Sequence, residues 1–167
     1  GQALAALMGQ ALVELVALVT RVGGALAALM ELALAALVTR AGQALAALRG
    51  EGVLVVGSGA YTHNLMELRG LRMQGVTAEP DWVRGFAEWT DRAILEGRLD
   101  DLLAYRQRNP HGARNHPTEE HLFPLHVAFG AAGTGATGRA LHRSITHGTL
   151  AMTAYADLDV SVIDELP

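Results

Sequence analysis

Cysteine is absent from the 167 residues, which excludes disulfides and thiolate metal ligation and leaves His, Asp and Glu as ligating side chains. A basic surplus is missing too: 13 basic residues face 17 acidic ones, for a net charge of -4. No electrostatic footprint for nucleic acid or an anionic membrane follows from that balance. The chain shows no charged n-region followed by a short apolar core and a cleavage site, so the cytoplasm is the expected compartment. Within residues 1–50 the longest uncharged run is residues 1–13, short of the roughly 18–20 residues of a spanning helix. The expected partners therefore include neither nucleic acid nor membrane. Histidine and aspartate are both missing from residues 1–41, which leaves Glu14 and Glu31 as the only ligating side chains of that segment.

What is there begins with low complexity. Residues 1–41 are built almost wholly of Ala, Leu, Val and Gly, and Gly-x-Ala-Leu-Ala-Ala-Leu starts at Gly1, Gly23 and Gly42. Ala and Leu are strong helix formers and Gly23-Gly24 and Gly42 are break signals, so about three packed or oligomerising helices are expected. The repeat is too irregular for a solenoid. Residues 42–156 have ordinary composition, and residues 157–167 form an acidic tail. The length suits one domain with a real core.

In the central part, Val53-Leu54-Val55-Val56 reads as a buried strand that runs into Gly57-Ser58-Gly59 and delivers His63. An imidazole at the carboxyl end of a strand in an α/β sheet faces the ligand crevice, which makes His63 a candidate site residue. Asn64 to Arg69 reads as a short helix. Glu79-Pro80-Asp81 is a helix start, and Trp82, Val83, Phe86, Trp89, Ala93 and Ile94 follow at helical spacing. Leu99 to Tyr105 is another short helix and Arg106 to Pro117 a polar loop. Thr118 is placed to cap a helix with His121 on its first turn, and Thr149 to Tyr155 alternates as a strand. The fold class is thus α/β: a small mixed sheet, with Val53–Val56 and a strand near Leu150, covered by helices and preceded by an Ala/Leu-rich helical segment.

Several chemical readings can be weighed on residues alone. Gly57-Ser58-Gly59 lacks the third glycine of a dinucleotide fingerprint, and Ser58 lacks the spacing of a nucleophile elbow. His116, His121 and His126 are five apart, about 140° around a helix, so they do not share one face. That spacing specifies neither a zinc nor an iron site. His111, His142 and His147 read as surface or loop imidazoles.

Two motifs in order, Glu51-Gly52-Val53-Leu54-Val55-Val56-Gly57-Ser58-Gly59 with Thr62-His63-Asn64-Leu65, then His116-Pro117-Thr118-Glu119-Glu120-His121-Leu122-Phe123-Pro124-Leu125, resemble the class III extradiol ring-cleavage dioxygenases of the LigB type. The nearest branch by these motifs is the single-chain DOPA 4,5-dioxygenase type, and the likeness covers about residues 42–156. It implies a non-haem Fe(II) enzyme, with Zn(II) in some preparations, that opens a catechol-type ring with O2. It further implies that His63 is the acid/base residue and His121 the C-terminal metal ligand, with Ser58, Asn64 and His116 as substrate or supporting contacts. Family members carry two more metal-binding histidines in an N-terminal half, and residues 1–41 have none. The resemblance therefore covers a C-terminal half, active alone or with a complementary chain that supplies the missing ligands. The alternative expectation is a non-catalytic binding or self-association module, a homo-oligomer held by its Ala/Leu-rich segment.

Overall fold

The computed structural model describes residues 2–76 and 78–157. Two compact units divide the chain, Gly1–Leu34 and Ala35–Pro167. Helix α1 (Gln2–Leu45) makes up the described part of the first unit and opens the second.

In place of about three helices broken at Gly23-Gly24 and Gly42, all three glycines lie inside α1. A helical glycine costs about 1 kcal/mol relative to Ala, and the Ala and Leu around these positions are the best helix formers available. Large apolar side chains of the first unit stand in solvent, among them Val13, Val19, Leu29 and Met30. The stretch Val13–Glu51, with mean hydropathy 2.0, is long and apolar enough to cross a membrane by length and composition. The short uncharged runs count against a span, but isolated charges dilute such a window too little to make it polar.

In the second unit, a 3-10 turn (Ala46–Glu51) ends α1, and Gly52 at φ 77° donates its N–H to the Arg49 carbonyl. Then come α2 (Leu65–Met73), α3 (Asp81–Leu95), α4 (Leu99–Leu103), α5 (Tyr105–Arg108), α6 (Gly112–Asn115) and α7 (Phe123–Ala132). Helix α3 is the centre of the core. Its buried residues Trp82, Val83, Phe86, Thr90, Ala93 and Ile94 recur every three or four positions, the stripe anticipated from the sequence. Phe86 packs with Tyr105 and Leu122, while Ala93 and Ile94 pack with Tyr61, Leu102 and Ala151. Gly42 and Gly130 serve packing, since a Cβ on Gly42 would overlap the Val127 carbonyl and one on Gly130 the Thr39 carbonyl. The absent side chains let residues 39–42 of α1 lie backbone against backbone on α7.

The strands come last. β1 (Arg139–His142) pairs antiparallel with β4 (Ala154–Ala156), and β2 (Ile145–Thr146) pairs antiparallel with β3 (Leu150–Ala151), so an inner hairpin sits between the strands of an outer one. His147 (φ 55°) and Gly148 (φ 73°) make the inner turn. The Tyr155 hydroxyl lies 3.0 Å from that of Tyr61 and 2.8 Å from Asp91 Oδ1, joining β4 to α3.

Helices with short strands agree with the α/β expectation, while several details differ. Val53–Val56 forms no strand: residues 53–60 are irregular, and Val53, Leu54 and Val56 are exposed. A strand needs a ladder partner, and none lies beside it among the described residues. The strand expected over Thr149–Tyr155 is broken into β3 and β4 at Met152, whose N–H turns to the Ser144 carbonyl. The expected loop Arg106–Pro117 contains the end of α5 and all of α6, single helical turns too short for periodicity to reveal. Of the expected acidic tail, residues 158–167 lie outside the described residues.

Candidate active site

Residues 57–63 cross the turn that precedes α7, and two glycines set how closely they do so. A Cβ on Gly57 would overlap the Pro124 carbonyl oxygen, and one on Gly59 would overlap that of His121. Neither glycine has positive φ. Their use is close backbone approach and not a left-handed turn. Exposed Ser58 lies between them.

From Ala60 onward every residue of the loop is tied down. The Ala60 N–H donates to the His121 carbonyl at 2.9 Å, and the His63 N–H to the Asn115 carbonyl at 3.1 Å. The Tyr61 carbonyl accepts from His116 Nε2 at 3.0 Å. Buried Thr62 donates to the Thr149 carbonyl at 2.6 Å and accepts from the Ala151 N–H at 2.8 Å. Asn64 caps α2, its Oδ1 accepting from the Glu67 N–H at 3.0 Å while Nδ2 donates to the Arg114 carbonyl at 2.6 Å.

With the backbone so held, the His63 ring stacks on the His121 ring, their centroids 3.7 Å apart and their planes 23° from parallel. His121 reaches this position from a turn and not from the first helical turn expected. Thr118 Oγ1 donates to Glu120 Oε1 at 2.7 Å and caps nothing; α7 starts at Phe123, with Pro124 in its first turn. Proline has no N–H to donate and fits where helical donors are free, which sets the start there. His121 is left exposed, with Nε2 3.8 Å from Glu120 Oε1.

Burial and then the adjacent His121 ring hold the His63 imidazolium below the ordinary histidine range. Neutral His63 is therefore the favoured form at neutral pH, with a lone pair free to accept a proton. His116 and His126 are fully buried, and burial pushes each from 6.5 to about 4. His116, expected as a substrate or supporting contact, is closed off from solvent and fastens Tyr61. His142, at the end of β1, has its Nε2 2.9 Å from Ser144 Oγ, and His147 is in the hairpin turn.

The structure thus brings together His63 and His121 of the residues singled out, puts Asn64 and His116 into supporting contacts and leaves Ser58 in solvent. Sequence reasoning missed Thr62 and Asn115. Thr62 stands beside His63 in the first motif, but hydroxyls and amides that bond to backbone leave no spacing signal. A non-haem iron centre takes three protein ligands. Among the described residues no group of three or more His, Asp or Glu is placed to hold a metal ion, so the side chains present do not fit such a centre unaided.

Residues 28–156 match the family described as the catalytic LigB subunit of aromatic ring-opening dioxygenase. The chain is 40% identical over 109 residues to a 4,5-DOPA dioxygenase extradiol from Portulaca grandiflora, a match covering 65% of this chain and 39% of that protein. With the Beta vulgaris protein of the same description it shares 35% identity over 108 residues, covering 65% and 39%. Among solved structures, an uncharacterized protein from Escherichia coli K12 superposes with a TM-score of 0.61 at 31% identity, over 72% of this chain and 49% of that one. The chain spans about two fifths of the length of these plant relatives. On the match over residues 28–156, this chain belongs to the LigB family of aromatic ring-opening dioxygenases.

Proposed function

We propose that this chain carries the acid/base part of an extradiol dioxygenase site, which opens a catechol-type ring with O2 and places both oxygen atoms in the product. The observation that carries the reading is the stacked pair, His63 against His121 at 3.7 Å, on a loop fastened at Ala60, Tyr61, Thr62 and His63. In its neutral form His63 accepts a proton from a catechol hydroxyl and returns it as the ring opens, the work of a general base and then acid. His121, exposed and adjacent, is assigned as one metal ligand. Members of the family generally use a non-haem metal, usually Fe(II), and Zn(II) is the second ion assigned to this site. The remaining ligands come from a complementary chain, because the described residues supply too few. We place the assembled protein in the cytoplasm, without nucleic acid as a partner.

The test is reconstitution. The chain is combined with the part of the Portulaca grandiflora relative that it does not cover, loaded with Fe(II) under argon, and given L-DOPA and then O2. The yellow ring-fission product is expected from the combination and not from the chain alone, and His63→Ala is expected to reduce its rate roughly 10²–10⁴-fold. An assembled, iron-loaded complex that forms no product, or forms it equally fast with His63→Ala, overturns the reading.

A further inference from the structure

Between Val13 and Leu34 the side chains of α1 follow an ordered pattern around the helix. Written as heptads with Leu15 at position d, the a and d positions are Leu15, Val19, Val22, Leu26, Leu29 and Ala33. The flanking e and g positions hold four more large apolar residues, two on each flank, together with one Gly and one Ala. No polar residue interrupts these four columns. Thr20 and the three charges of the segment, Glu14, Arg21 and Glu31, all fall at b, c or f, on the opposite side of the helix.

The nine large apolar side chains of this face are 37–65% exposed. At roughly 100 Å² of apolar surface each, they present about 900 Å² per chain. That exceeds the roughly 300–600 Å² of the largest apolar patch on a typical monomer and matches the ~800 Å² per partner of a stable interface. We infer that this face of α1 joins copies of this chain in a helical bundle. Every position that meets a neighbour in such a bundle is apolar, and every charge sits where a bundle leaves it in water. The apolar arc is also four columns wide, where the seam of a two-stranded coiled coil has two, so each helix faces more than one neighbour and three or more chains assemble. Lipid is a poorer occupant. A span of roughly 20 residues drawn from anywhere between Val13 and Glu51 takes in Arg21, Glu31 or Arg40, each costly in hydrocarbon. A helix lying on the membrane surface draws on a basic polar face, whereas this one carries two acids and one base. The bundle is independent of the dioxygenase reading, because none of its residues belongs to the candidate active site.

Sedimentation velocity on the full chain, over about a 100-fold range of concentration, tests this. A defined species of three or more chains is expected, in exchange with smaller ones. V22K/L29K places two charges at d positions, and A17K/A28K places the same two charges at the outward f and c positions. Lys is a good helix former, and the fluorescence of Trp82 and Trp89, both in α3, reports whether the second unit stays folded in each variant. V22K/L29K is expected to weaken association at least about 100-fold, since it buries charge in the bundle, while A17K/A28K changes it less than about 3-fold. Flotation with phosphatidylcholine vesicles, with and without phosphatidylserine, is expected to carry none of the chain. The inference is overturned by a species no larger than a dimer at every concentration, by open-ended aggregation, or by an assembly that V22K/L29K leaves intact or that both variants weaken equally. Co-flotation with either kind of vesicle also overturns it, and would make lipid the occupant.

Discussion

Lowering the pH should unfold this protein through two buried imidazoles. His116 and His126 are held neutral by burial, each pushed from 6.5 to about 4. The Tyr61 carbonyl can only accept, so His116 Nε2 carries the proton in that bond and a second proton must go to Nδ1, which is buried with no hydrogen-bond partner among the described residues. Neither nitrogen of His126 has a hydrogen-bond partner among the described residues. Because the folded pKa lies below the unfolded one, the unfolded chain binds more protons, and stability is fully present above about pH 6.5 and lost as pH falls toward about 4. Linkage puts the loss near pH 5 at about 2 kcal/mol per histidine, or about 4 kcal/mol for both, out of a total that for most domains is roughly 5–15 kcal/mol. Urea unfolding at a series of pH values between about 8 and 4.5, followed by the fluorescence of Trp82 and Trp89, measures it. His126→Leu, a change of apolar type and similar bulk, should cost less than about 1.5 kcal/mol near pH 8 and should remove about half of the acid loss. A variant that loses stability with pH as steeply as the parent would refute the assignment of His126 to this effect.

Two substitutions probe how the loop under His63 is held. Thr62→Val leaves the buried Thr149 carbonyl and Ala151 N–H without their partner, and should cost about 2–4 kcal/mol in urea unfolding; a loss under about 0.5 kcal/mol would show that this tie is dispensable. Gly57→Ala sets a Cβ against the Pro124 carbonyl and within 3.1 Å of the Ala128 Cβ, so it should destabilise by about 1–3 kcal/mol. It should also shift the ring proton resonances of both stacked histidines. Ser58→Ala, one residue along and exposed, should stay within about 0.5 kcal/mol, and equal effects at 57 and 58 would contradict the close-approach account.

How far the sequence was legible depends on what each feature needs in order to form. Helix α3 was readable because its periodicity is local: Trp82, Val83, Phe86, Ala93 and Ile94 announce one buried face before any neighbour is known. The meeting of His63 and His121 was readable only as two motifs in order, since nothing local says that residues 58 positions apart stack. Two failures have the same root. Gly42 reads as a break and Gly57-Ser58-Gly59 as the hand-over at a strand's end, because a glycine in sequence signals conformational freedom; at Gly42, Gly57 and Gly59 it is the missing Cβ that matters, and the need for it comes from Val127, Pro124 and His121, far along the chain. Val53–Val56 failed in the opposite way. Its composition reports the environment a strand of that kind requires, burial on both faces and a ladder on its edges, and the described residues supply neither. The disagreement between that composition and its exposure is itself information, because a sequence with this much apolar side chain in solvent specifies a surface to be covered.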